Sequence, residues 1–169
     1  MPELDEKIVA HAKKAIAEYG SARTKFRAIQ DELKEAGLLV GNDNKVGIAG
    51  EFWAFLFYHR RGYQFDGLPR HTNNKDFDFA FLDPQGNHLR ISVKSITAEN
   101  SRGTTTRVSV DGSWDELCIV QMSALLSPER IGTVSKAKFS ERFRARKSAP
   151  ATNRKWLSES WLDLHEPVF

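Results

Sequence analysis

Apolar positions in the first forty residues recur at helical spacing. Ile8, Ala12, Ala15, Ile16 and Tyr19 fall on one face, and Gly20 follows as a stop signal. Ser21 is placed to cap a second helix, in which Ala22, Phe26, Ile29, Leu33 and Ala36 step by four, three, four and three before Gly37. The pattern predicts a helical hairpin over residues 1–40. Its outer faces carry Lys13, Lys14, Arg23, Lys25, Arg27 and Lys34 interspersed with acids, which reads as a solvated face, with nucleic-acid contact as the alternative.

After the polar loop GNDNK, the segment Val46 to Arg61 contains FWAFLFY, apolar on nearly every face, as expected of a helix packed between a sheet and other helices. Glu51 stands out inside it. Either it sits in the first turn, where the helix dipole favours an acid by about 0.3–1 kcal/mol, or its burial calls for a partner or a metal ion. Gly62 ends the helix, and Tyr63 to Phe65 reads as a short edge strand.

The period then changes from helical to alternating. In Lys75 to Ser95, KDFDFAFLDPQGNHLRISVKS, alternation puts Asp76 and Asp78 on one face and Phe77, Phe79 and Phe81 on the other. Ser92 and Lys94 oppose Ile91 and Val93 in the same way. Asp83 to Asn87 is rich in turn formers, so two neighbouring strands bring carboxylates towards an amine. Acids facing a lysine on a sheet suggest a metal-assisted site.

Beyond Lys94, ENSRGTTTR reads as a loop or hairpin tip with Arg102 and Arg107 available to phosphate, and Val108 to Val110 as a short strand. Leu117 to Met122 is the continuous apolar run of a strand buried on both faces, of the kind that pairs in parallel after a crossover. Ile131 to Val134 is a further strand. The basic stretch holding Lys136, Lys138, Arg142, Arg144, Arg146 and Lys147 has Phe139 and Phe143 four apart, which predicts a helix with an apolar anchor; its cations are either a solvated face or a phosphate contact. Asn153 to Leu164 suits a terminal helix docked by Trp156 and Trp161, on the core or, as the alternative, on a partner.

Composition narrows the class. At 169 residues, 40% apolar and 28% charged, the chain suits one globular domain without repeats or linkers. A formal charge of +3 permits a polyanionic partner without demanding one. The lone Cys118 lies in an apolar run and reads as a core residue, which fits a reducing cytoplasm. No export signal or membrane span is indicated. The histidines show no HxH pairing, there is no CxxC, and no Gly-rich phosphate loop or GxSxG elbow occurs; zinc, nucleotide-hydrolase and serine-hydrolase chemistry are disfavoured.

Taken in order, GEFWAFLFYHRRGYQF, DFDFAFLD, ISVKS and WDELCIVQM resemble the PD-(D/E)XK nuclease superfamily, over about Gly47 to Val134. The resemblance implies an α/β restriction-endonuclease-like domain: a central mixed sheet of four or five strands flanked by helices. Residues 46–134 would be the core, residues 1–40 the hairpin extension, and residues 135–169 a C-terminal helical extension. It also implies a Mg²⁺-dependent endonuclease, with Mn²⁺ as a substitute, cutting DNA in restriction, repair or phage-related processing. Asp78 would be the central metal ligand, the Val93 carbonyl a further ligand, and Glu51 would assist from the helix, with Asp76 as the alternative acid. Lys94 would orient or deprotonate the attacking water, or stabilise the pentavalent oxygens. Lys75, Arg90, Arg102 and Arg107 are the candidates for nucleic-acid contact, and double-strand cutting would imply a homodimer. One departure is Ser92, at a place where the family usually has an acid; a hydroxyl is a poorer ligand for a hard cation. The alternative is a non-catalytic DNA-binding or protein-interaction module on the same fold, in which Lys94 and Asp78 form a structural ion pair.

Overall fold

A computed structural model describes residues 5–35, 45–67, 77–97, 107–150, 157 and 160–167. Among the described residues there are three helices and eight strands: α1 (Glu6–Glu35), α2 (Lys45–His59), β1 (Gln64–Gly67), β2 (Phe79–Leu82), β3 (His88–Thr97), β4 (Arg107–Ser109), β5 (Glu116–Met122), β6 (Pro128–Ser135), α3 (Lys136–Arg142), β7 (Ser148–Pro150) and β8 (Asp163–His165). Six strands form a mixed sheet in the order β1-β2-β3-β5-β6-β8, and β4 pairs with β7 in a separate ribbon. Only β3 and β5 run parallel, with Lys94 opposite Ile119; the other pairs are antiparallel.

Alternation along the strands divides the core into two apolar layers. Ile91 and Val93 of β3 and Cys118, Val120 and Met122 of β5 pack with Trp53, Ala54, Leu56, Phe57 and Tyr58 of α2 and with Val9 of α1. On the opposite face Ile96, Leu117, Ile119 and Val134 pack with Phe139 of α3, Val108, Ala149 and the C-terminal Leu157, Trp161 and Leu162. The Leu117 to Met122 run is therefore buried on both sides because it lies in mid-sheet between two layers, as its composition indicated, and Cys118 is a buried free thiol. The β2–β3 turn is built by Asp83, whose Oδ1 accepts the backbone N–H groups of Gln85 and Asn87 at 2.9 and 2.8 Å, while Gly86 adopts a positive φ of 85°.

Four expectations are corrected. The hairpin is instead one continuous helix of 30 residues, about 45 Å long at 1.5 Å per residue. Gly20 does not stop it; it lets α1 pass against the β5–β6 turn, where an added Cβ would lie 2.3 Å from the carbonyl oxygen of Leu125. The sheet has six strands rather than four or five: the expected edge strand β1 is present, and β8 adds a further strand at the opposite edge. The C-terminal segment contributes β8, not a helix through Leu164: Leu164 pairs with Gly132, and Trp161 reaches the core from the turn before the strand. Finally, Phe77 does not share a face with Phe79 and Phe81. It packs into the layer of Ile96 and Phe139, whereas the other two pack under α2, so the chain turns over just before β2 begins.

Candidate functional site

The turnover at Phe77 creates the site. Asp78 precedes β2, and its backbone N–H donates to the carbonyl of Ile91 at 2.7 Å. One step further along β3, β2 offers Val93 no ladder partner, since the paired register begins at Phe79 opposite Ile91. The Asp78 side chain takes that place: Oδ2 accepts the Val93 N–H at 2.6 Å. Such a carboxylate-to-amide bond is charge-assisted and short. A residue's N–H and C=O lie on the same side of a strand, so the Val93 carbonyl also faces this gap. There it accepts from the Lys94 ammonium at 2.9 Å, which also donates to the Ser92 hydroxyl at 3.3 Å. Asp78 and Lys94 thus meet on the backbone of one residue.

Glu51 approaches from α2. The helix starts at Lys45 and has no acid in its first turn, so the dipole explanation for Glu51 does not apply. Its position is set by the neighbouring Gly50, which packs so closely on β3 that an added Cβ would lie 1.9 Å from Ser95 Oγ. Glu51 is half-buried, and its carboxyl is pushed above the usual range first by burial, then by the negative charge of Asp78, with Lys94 pulling the other way. Glu51, Asp78 and Lys94 therefore sit within one another's electrostatic reach. Among the described residues, no side chain hydrogen-bonds or ion-pairs with Glu51.

The remaining expected residues are distributed differently. Ser92 is 4% exposed, with its hydroxyl bound to Lys94. Asp76, Lys75 and Arg102 lie outside the described residues. Arg90 is clamped by Asp115, through Nε and NH2 at 2.8 Å each and its own backbone N–H at 2.9 Å, and this guanidinium holds the Asp115 carboxyl below its usual range. Arg107 is anchored on Ser148, donating to its hydroxyl at 2.8 Å and its carbonyl at 3.2 Å. His88 pairs with Asp66 at 2.9 Å. Among the described residues, no group of three or more His, Cys, Asp or Glu is arranged to hold a metal ion. The described donor set is two carboxylates and one backbone carbonyl.

A second polar cluster escaped the sequence reading. A cavity of about 280 Å³ is lined by Phe57, Tyr58, Arg61, Glu116, Thr133 and His165, among others. The buried Tyr58 hydroxyl donates to Glu116, whose carboxyl is raised by burial, while His165 bridges Arg61 at 3.1 Å and Thr133 at 3.2 Å. The only signal in the sequence is an acid, Glu116, opening an otherwise apolar strand. These groups tie α2, β5, β6 and β8 together.

No protein-family model matches this chain, and no curated protein matches it. No described helix is long and apolar enough to cross a membrane.

Proposed function

We propose that this chain is a Mg²⁺-dependent endonuclease acting on DNA, of the restriction-endonuclease-like kind. The observation that carries the reading is the convergence of Asp78 and Lys94 on Val93 where β2 separates from β3, with Glu51 held beside them by the Gly50–Ser95 contact. Phosphodiester hydrolysis builds charge on oxygens that are already anionic. It needs cationic stabilisation and a proton acceptor at one place.

The donor types suit Mg²⁺, which is commonly held by one or two carboxylates and keeps several of its waters. Asp78, Glu51 and the Val93 carbonyl would hold the ion, which supplies charge neutralisation and a more acidic bound water. The chain's own residues supply the rest. The Lys94 ammonium donates from the face carrying Ser92 and is placed to stabilise anionic phosphate oxygens or to orient water. Burial and the Asp78 charge raise the Glu51 carboxyl in the metal-free chain, and a bound cation would offset both by favouring its ionised form. Ser92, bound to Lys94, orients the ammonium instead of acting as a third acid.

A second reading has its own support. Lys94 already satisfies the Val93 carbonyl, so Asp78, Val93, Lys94 and Ser92 form a hydrogen-bonded chain that would serve a structural role in a non-catalytic DNA-binding module. Supercoiled plasmid incubated with purified protein and Mg²⁺, beside an EDTA control, separates the two. Metal-dependent nicking by the parent and its loss in Asp78→Asn and Lys94→Met support the nuclease; nicking unchanged in both variants overturns the assignment.

A further inference from the structure

We infer that the turn after α3 and the β4–β7 ribbon form the surface that grips the DNA phosphate backbone, an inference that rests on the DNA-acting reading above. Charge is strongly polarised along the chain. Residues 136–150 carry six cations against one acid, Glu141; with a total of +3, the remainder of the chain is left two charges negative. This segment is where positive charge is concentrated along the chain, and a polyanion is drawn to such a concentration.

Within that segment the structure separates committed cations from available ones. Lys136 donates to the Gly112 carbonyl, Lys138 lies 3.6 Å from Asp163, and the Arg142 guanidinium stacks 4.8 Å from the Trp161 ring centroid. Arg144, Arg146 and Lys147 are exposed. Among the described residues, no acidic side chain ion-pairs with them or with Arg107. The tight turn closed by Arg146 N–H on the Phe143 carbonyl at 2.8 Å presents Arg144 and Arg146, and the chain then enters β7 through Lys147, whose carbonyl accepts from Val110. Register pairs Ser109 with Ser148, and the Arg107 guanidinium is fixed on Ser148, next to Lys147. Phe139, Val108 and Ala149 root α3 and the ribbon on the sheet face towards which Ser92, Lys94 and Ile96 alternate. The three available cations, with Arg107 fixed beside them on Ser148, thus stand on elements packed against the face of the sheet that carries Lys94. Arginines and a lysine so placed suit backbone phosphates, whose recognition is independent of sequence.

The test uses the full chain in EDTA, so that binding is read without cleavage. Anisotropy of a short labelled DNA duplex is followed against salt for the parent, for Arg144→Gln/Arg146→Gln/Lys147→Gln, and for Lys7→Gln/Lys14→Gln/Lys25→Gln on α1, which removes the same charge elsewhere. The turn variant is expected to bind about 10- to 1,000-fold more weakly, with a salt slope shallower by about two to three units, and the α1 variant to bind within about twofold of the parent. Circular dichroism and thermal midpoints matching the parent establish that both variants are folded. Equal weakening in the two variants, undiminished binding by the turn variant, or preference for an RNA duplex overturns the proposal. Plasmid nicking is scored separately. Lost binding in the turn variant with no Mg²⁺-dependent nicking by the parent keeps the surface and removes the nuclease, whereas nicking by the parent with unchanged binding by the turn variant does the reverse.

Discussion

Asp78 accepts the backbone N–H of Val93 at 2.6 Å, so a side chain stands in for a strand that has already turned away. This gives Asp78 a structural role that can be separated from its charge. Asp78→Ala leaves the Val93 N–H without that acceptor, at an expected cost of about 1–3 kcal/mol. Asp78→Asn keeps an oxygen acceptor and should cost less than half as much. Urea denaturation measures both. Nicking should be lost in both variants, because neither retains the carboxylate. Equal destabilisation by the two would show that the Val93 bond contributes through charge rather than geometry.

Lys94 is the second partner of Val93, and its ammonium lies at the proposed reacting centre. Lys94→Met keeps the length and apolar body of the side chain but no donor. Under the nuclease reading it should lower the nicking rate by about 10²- to 10³-fold, the usual consequence of removing one donor to a charge-developing oxygen. Salt-dependent duplex binding in EDTA should change little, since Lys94 would meet only the reacting phosphate while the proposed backbone grip lies with Arg144, Arg146 and Lys147. A parallel loss of binding and nicking would make Lys94 a DNA-holding residue instead.

Strands β2 and β3 were legible in the sequence because their two-residue period survives burial, and so was the parallel pairing of β5, whose apolar run requires cover on both faces; β7 and β8 were not. Gly20 was misread for a physical reason. A glycine at a helix end and a glycine at a close crossing leave the same local trace, and only the distant Leu125 distinguishes them. The edge strand β8 was hidden because Trp156, Trp161 and Leu164 suit a helical pattern, whereas Asp163, Leu164 and His165 pair with β6. At the site, Asp78, Lys94 and Glu51 were identifiable by type and order. That Asp78 binds a backbone amide was not, because it depends on where β2 stops pairing with β3.

Gly50 offers a test of how Glu51 is positioned. An alanine there would place Cβ 1.9 Å from Ser95 Oγ and 2.9 Å from Ser95 Cβ, so α2 must move off β3. Despite alanine's better helix propensity, Gly50→Ala should destabilise the fold by about 1–3 kcal/mol. It should also depress nicking by displacing Glu51. Adding Ser95→Gly removes both overlapping atoms and should restore most of the stability, a coupling that a double-mutant cycle by denaturation would read directly. Additive losses would mean that α2 does not rest on this contact.

Glu51 ties the site to pH. Its carboxyl is raised above its ordinary value of 4.5 by burial and by Asp78, so in rising pH the unfolded chain releases this proton before the folded one does. Below pH 4.5 both states are protonated and Glu51 contributes no difference. Above it, stability falls until the folded carboxyl also ionises, and the deficit then persists through neutral pH. Glu51→Gln removes the deficit. The variant should therefore melt higher than the parent at pH 7, with the gap closing as pH falls through the raised pKa and vanishing below 4.5. Divalent cation reverses the comparison. Mg²⁺ bound between Glu51 and Asp78 would favour the ionised carboxylate and stabilise the folded parent in proportion to the logarithm of its concentration, so the parent's midpoint should climb with Mg²⁺ while that of Glu51→Gln climbs much less. Thermal scans across pH, with and without Mg²⁺, measure both effects without any cleavage assay. A Glu51→Gln variant less stable than the parent at neutral pH in EDTA would mean that the ionised glutamate has a partner in the folded chain, and the site would then be structural.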